Sequence, residues 1–192
     1  MMRYLFIILA LLWAENAAAH PHVFITAKAA FVVKEGKIIG IRQFWVYDPL
    51  FSNDLMLTFD SDRDKKLSAA EQQKMGGEIL KNLKEFHYFT FIENGGKKID
   101  NVTVAEFQAA AGARVAMSFL AILPEPIALK EQQLSLRTYD PSYYVEVMVD
   151  NKEPVLYENF GQNICHFTRD FDQQHRYFGG VIVPEKVNLV CP

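Results

Sequence analysis

From His22 onward the chain alternates short apolar runs with clusters of turn residues, and the period of those runs reads as strands more often than as helices. Residues 22–33 and 37–47 are rich in Val, Ile and Phe. The Lys34-Glu35-Gly36 turn between them predicts a hairpin. Asp48-Pro49 ends the second run, and Ser52 or Asn53 is placed to cap a short helix through Phe59. Ser68 then opens a longer helix to about Phe86, with Gly76-Gly77 as its expected weak point. Strand-like runs return at 87–93 and 98–107 around Asn94-Gly95-Gly96, a strong hairpin signal. More follow at 113–123, 133–139, 143–149 and 187–191, with turns expected at Pro124-Glu125-Pro126 and Asp140-Pro141-Ser142. Residues 151–180 show no clear period, and their aromatics (Tyr157, Phe160, Phe167, Phe171, Tyr177, Phe178) are expected to pack a long loop over one end. The spacing predicts a mainly β fold: an antiparallel, immunoglobulin-like β-sandwich with a helix-loop-helix inserted at about 50–86.

Between the two expected helices lies Asp60-Ser61-Asp62-Arg63-Asp64-Lys65-Lys66-Leu67-Ser68-Ala69-Ala70-Glu71, which carries the ligand spacing of an EF-hand calcium loop. Such a loop presents oxygens at positions 1, 3, 5, 7, 9 and 12, the last a bidentate Glu. Those positions hold Asp60, Asp62, Asp64, Lys66 (through its carbonyl), Ser68 and Glu71, with Leu67 as the apolar residue that packs the loop down. Position 6 is normally Gly, and Lys65 there must adopt a left-handed backbone at a cost of about 1–2 kcal/mol. Four acidic and three basic side chains leave the loop at −1, so affinity for Ca2+ is expected to be low, of the order of 10⁻⁴–10⁻³ M. Ser68 and Glu71 also satisfy the S-x-x-E capping box, which a solvated turn would share.

Composition adds the compartment. Residues 4–14 form an apolar run after Arg3 that is too short to span a bilayer, and small residues follow it, the layout of a cleaved secretory signal peptide. Small residues at the −3 and −1 places select a cut after Ala19, which leaves 20–192 as a single exported domain beginning at His20. No later stretch is long and apolar enough to insert into a membrane. A net charge of −3 gives no reason to expect nucleic acid as a partner. Cys165 and Cys191 are the two cysteines, and in an oxidising compartment they are expected to form one disulfide.

A chain beginning at His20 offers an α-amine and an imidazole on one residue, with His22 two positions on, and nitrogen donors suit nickel, cobalt, zinc or copper. Pro21 has no amide hydrogen to lose, so the planar four-nitrogen amino-terminal site is incomplete. Further ligands would have to come from His87, His166, His175, Asp48 or Asp140. Tyr47-Asp48-Pro49 and Tyr139-Asp140-Pro141 repeat a tripeptide at two strand ends, where Asp-Pro most often makes a turn. G-x-S-x-G, H-E-x-x-H, P-loop and dinucleotide motifs are all absent, so no enzymatic activity is expected.

Taken together, His20-Pro21-His22-Val23-Phe24, Phe44-Trp45-Val46-Tyr47-Asp48, the D-x-D-x-D loop, His87-Tyr88-Phe89-Thr90 and Tyr139-Asp140-Pro141-Ser142-Tyr143-Tyr144-Val145 resemble a bacterial family of unknown function. Its members are described as the periplasmic component of an uncharacterised ABC-type transport system and often lie near nickel and cobalt permeases. The resemblance covers nearly the whole mature chain and implies a periplasmic location and a link to metal transport. The expected role is therefore a periplasmic accessory that binds a divalent transition metal at His20 and His22 and exchanges it with a membrane permease. Two alternatives stand beside it: a calcium-stabilised interaction scaffold without a transition metal, and an oxidase that holds copper in a histidine brace.

Overall fold

A computed structural model describes residues 21–129, 133–159 and 165–191. The expected signal peptide, His20 and Phe160 lie outside the described residues. The fold is mainly β and holds two sheets. In chain order the elements are β1 (Val23–Lys34), β2 (Lys37–Tyr47), α1 (Pro49–Phe59), α2 (Ala69–Leu83), β3 (Thr90–Asn94), β4 (Lys97–Ile99), β5 (Thr103–Ala110), β6 (Ala116–Ala128), β7 (Gln133–Thr138), β8 (Val145–Val149), β9 (Val155–Glu158), β10 (His166–Phe171) and β11 (Glu185–Val190). One sheet has the order β5-β6-β2-β1-β8, with β9 also on β1; the other has the order β10-β11-β7-β3-β4.

Alternation decides which face each strand buries. Val23, Ile25, Ala27, Ala29, Phe31 and Val33 of β1 are all buried, as are Leu134 and Leu136 of β7 and Val187 and Leu189 of β11. One apolar cluster joins β1 and β2 residues such as Phe31 and Ile41 to Ile92, Leu134, Leu136 and Leu189 of the other sheet. A second cluster joins the opposite ends of β1 and β2 to Leu55, Phe59, Leu67 and Met75 of the helical segment. A polar clasp also links the sheets. Gln43 is fully buried, donates to the Thr90 and Thr138 hydroxyls at 3.1 and 3.2 Å, and accepts from Trp45 Nε1 at 3.2 Å. Such a group is tolerated in a core only when its hydrogen bonds are made, and here they are.

The expected antiparallel arrangement is only partly correct. β1 pairs antiparallel with β2 but parallel with β8 along Val23–Ala27 and parallel with β9 along Ala29–Val32. For β8 the direction follows from the sheet the preceding strand occupies. β7 lies in the other sheet, and the turn after it delivers β8 to the start of β1, where His22 N donates to Tyr144 O. Alternation records buried faces and is silent on direction.

Other expectations change as well. The run 98–107 splits into β4 and β5 in different sheets, and Asn101 takes a positive φ of 61° at the crossover. Pro124 and Pro126 do not end a strand: β6 runs through them because its pairing with β2 shifts between Ile38 and Gly40, so the prolines sit where ladder bonds are skipped. α1 starts at Pro49, capped by Asp48 and not by Ser52 or Asn53. Pro at the first position removes an amide that would lack an intrahelical partner. Ser52 instead accepts from Val115 N, tying the helix to the start of β6. α2 ends at Leu83, and Gly76 is no weak point: a Cβ there would lie 2.6 Å from the Phe107 ring, so Gly lets α2 close on β5. The legible parts of 151–180 are β9, β10 and a 3-10 turn at Gln173–His175.

Candidate metal centre

The segment between α1 and α2 is built around the Glu71 carboxylate. Its Oε1 accepts Ser61 N and Oγ at 2.6 and 2.7 Å, and its Oε2 accepts Ser68 N and Oγ at 2.9 and 2.8 Å. Glu71 thus ties the first residues of the loop to the N-cap of α2, and the capping box expected from sequence is present. The Ser61 hydroxyl, then the Ser68 amide and the remaining donors, hold the Glu71 carboxyl down at about 2.

Asp60, Asp62 and Glu71 each bring one carboxylate oxygen within 4.8 Å of the others. Asp64 lies outside that group and accepts Lys66 N at 2.8 Å. Asp60 accepts the amides of Asp64 and Lys65 at 3.1 and 3.0 Å, folding the loop back on its first residue. Lys65 has φ +66°, the left-handed turn that position 6 requires, and Arg63 has φ +60°. Leu67 is buried in the cluster shared with α1, α2 and β1. Three close carboxylate oxygens suit a hard cation, and the donor set contains no sulfur or nitrogen that would select a transition metal.

Among the described residues no histidine joins a cluster of metal-ligand atoms. His22 stacks on Tyr144 with ring centroids 5.0 Å apart, and among the described residues its imidazole has no hydrogen-bond partner. Asp48 is committed to Phe24 N, Leu50 N and Phe51 N at 2.9 to 3.0 Å. Burial would raise its pKa, but the backbone amides win and hold it low. Asp140 is buried and accepts from Ser142 N, Ser142 Oγ and Val145 N. Both Asp-Pro carboxylates therefore serve turns. His166 is exposed on β10 opposite Val190. Cys165 and Cys191 form the expected disulfide, which closes the β10-β11 hairpin.

Sequence reasoning missed a charged cluster on the second sheet. Arg137 of β7 is 3 % exposed; its Nε donates to Asp172 Oδ2 at 2.6 Å and its Nη2 to Glu93 Oε2 at 2.8 Å. His175 lies between the same carboxylates, Nδ1 3.0 Å from Asp172 and Nε2 3.3 Å from Glu93, and Lys186 stands 3.6 Å from Asp172. Burial pushes Asp172 up, but Arg137, the Gln174 amide and Lys186 outweigh it and hold it at about 2. Glu93 is lowered for the same reason, burial opposed and overcome by Arg137. The signal in the sequence is small: Arg137 and Glu93 are charges inside strands, while Asp172 comes from the segment without a period.

The fold and site define a β-rich, disulfide-bonded chain with a helix-flanked acidic loop able to accept a hard cation. Residues 5–174 match the family described as protein of unknown function (DUF1007), and the chain belongs to it. It is also similar to an uncharacterised protein of Haemophilus influenzae, 26 % identical over 160 residues that cover 82 % of this chain and 76 % of that one. No solved structure matches.

Proposed function

We propose that this protein is an exported, periplasmic calcium-binding module in which the loop 60–71 is an EF-hand-like site that fixes the α1-α2 insertion against an immunoglobulin-like sandwich, leaving the body as a scaffold for a partner. The observation that carries this reading is the convergence of Asp60, Asp62 and Glu71 oxygens within 4.8 Å in a loop whose sixth residue has φ +66°. Ca2+ would be held by those carboxylates with Asp64, Ser68 and the Lys66 carbonyl completing the set. Its charge would offset the repulsion among acids that now lean on serine hydroxyls and backbone amides. Export is supported by the disulfide and by the leader pattern of the sequence. Among the described residues no helix is long and apolar enough to cross a membrane.

The transition-metal accessory reading rests on one observation: among the described residues the His22 imidazole, just before β1, makes no hydrogen bond and touches the Tyr144 ring. In that reading His22 joins His20, and a membrane permease is the partner. A binding role is favoured over catalysis because the one His-Asp pair among the described residues, His175-Asp172, has its second ring nitrogen on Glu93.

Calorimetric titration of the mature, metal-free protein tests both readings. Ca2+ is expected to bind with Kd of the order of 10⁻⁴–10⁻³ M and to raise Tm, with binding lost in Asp60→Asn and Glu71→Gln. Absence of Ca2+ binding in the parent overturns the calcium site. Nickel, cobalt, zinc and copper titrated into the same protein and into a form with one extra N-terminal residue should distinguish the second reading: affinity that falls on extension supports an amino-terminal ligand. Reductant-dependent peroxide production with copper would point to the histidine-brace oxidase instead.

A further inference from the structure

The outward face of the second sheet carries a cavity of about 150 Å³ bordered by β3, β4, the crossover at 100–102, β7 and the 3-10 turn at His175. Strand pairing explains its chemistry. Phe91 lies opposite Arg137, and Glu93 lies opposite Lys98. Leu134 and Leu136 belong to the shared core, and Arg137, next in sequence to Leu136, lies on the other face of β7 at the cavity.

Arg137 is the unusual member. It is 3 % exposed and borders the cavity, and its Nε and Nη2 are engaged by Asp172 and Glu93. Among the described residues its Nη1 has no hydrogen-bond partner, and it is not sealed from solvent, since no buried side-chain nitrogen or oxygen there lacks a partner. Neither carboxylate belongs to Arg137 alone, because His175 draws on both and Lys186 on Asp172. A guanidinium donor that meets solvent beside the cavity can exchange water for an acceptor on a ligand, and a charged donor makes the stronger bond. Lys98, exposed, borders the same cavity and has no ion-pair partner among the described residues. Asp100, exposed and also at the cavity, is an acid with no cation partner among the described residues. Between these poles Phe91 and Tyr139 stack at 4.4 Å. His87 borders the cavity from a run, His87 to Phe89, in which all three residues have φ +53°. Left-handed non-glycine residues cost about 1–2 kcal/mol each and persist where the surroundings fix them, often at binding sites.

We propose that this cavity binds a small zwitterion of the free amino acid class, its carboxylate on Arg137 and Lys98 and its ammonium on Asp100, over the Phe91-Tyr139 rings. A metal ion fits poorly, because Arg137 and Lys98 would repel it and both His175 nitrogens are engaged. A simple organic anion makes no use of Asp100, and a simple amine makes none of Arg137 and Lys98. The inference is independent of calcium, since loop 60–71 contributes no residue to the cavity.

The test is an NMR titration of ¹⁵N-labelled mature protein with each of the twenty common L-amino acids at millimolar concentration, beside propionate and ethylamine as probes carrying one charge each. At least one amino acid should move the amides of Phe91, Glu93, Lys98 and Arg137, with propionate and ethylamine at least about tenfold weaker. Asp100→Asn and Lys98→Ala alter residues at the sheet edge and crossover, and each should weaken that amino acid by about tenfold while the rest of the spectrum stays in place. No shift with any amino acid overturns the proposal. So does propionate binding as tightly as the amino acid, or both variants binding as the parent does.

Discussion

Gly40 and Gly77 show how one residue type answers to different constraints. A Cβ at Gly40 would lie 2.5 Å from the Ala121 carbonyl oxygen and 3.0 Å from a Leu120 methyl, both across the β2-β6 ladder where its register shifts. Backbone cannot give way as a side chain can, so Gly40→Ala is expected to destabilise by about 2–3 kcal/mol. Gly77 in α2 has nothing within 4 Å of such an atom, and Gly77→Ala should stabilise by about 0.5–1 kcal/mol through helix propensity. Urea denaturation of the two variants beside the parent checks both, and equal midpoints would contradict the geometry. At this scale the sequence was informative about local chemistry. The capping box of Ser68 and Glu71 and the left-handed Lys65 follow from spacing within a few residues. It gave no warning of Gln43, whose partners Thr90 and Thr138 are supplied by two strands of the other sheet.

At the scale of elements, the segment 172–175 is fastened over β3 and β7 by charge. Asp172, held at about 2, is the pin. A carboxyl whose folded pKa lies below its unfolded value of about 3.9 adds stability above that value and loses it as pH falls through the folded pKa. The shift from 3.8 to about 2 corresponds to about 2 kcal/mol, lost between pH 5 and pH 2. Glu93 is lowered too and acts with the same sign. Denaturant unfolding across this range should show the parent losing about 2 kcal/mol more than Asp172→Asn. Parallel curves for the two would show that the pin contributes nothing. The Asp-Pro repeats carry the same lesson in reverse. Asp48 and Asp140 looked like spare ligands, and both are consumed by amides of the turns they make, Asp48 as the cap of α1. The ligands of one loop could be read from spacing, but the Glu93-Arg137-Asp172-His175 cluster could not, because its members come from three elements far apart in the chain.

For the whole molecule, the disulfide closes a loop of 26 residues around the β10-β11 hairpin, at the edge of the second sheet. On the loop-entropy account this bond contributes about 3–4 kcal/mol by restricting the unfolded chain. Replacing Cys165 and Cys191 by Ala together should lower unfolding free energy by about that amount and raise hydrogen exchange first in β10, which among the described residues has a sheet neighbour on one side alone. An unchanged exchange pattern would argue against the hairpin as the weak edge.

The amino-acid order alone settled what depends on near neighbours: mainly strands, a helix pair between the second and third of them, the acidic loop, the pairing of two cysteines. Those features obey periods of two or four residues and turn chemistry, all local quantities. Only the folded chain decided the parallel alignment of β8 and β9 with β1, the crossing from β4 to β5 between sheets, and the placing of Arg137 beside a cavity. These depend on which distant segments share a core, and that choice is made by burial summed over the whole molecule.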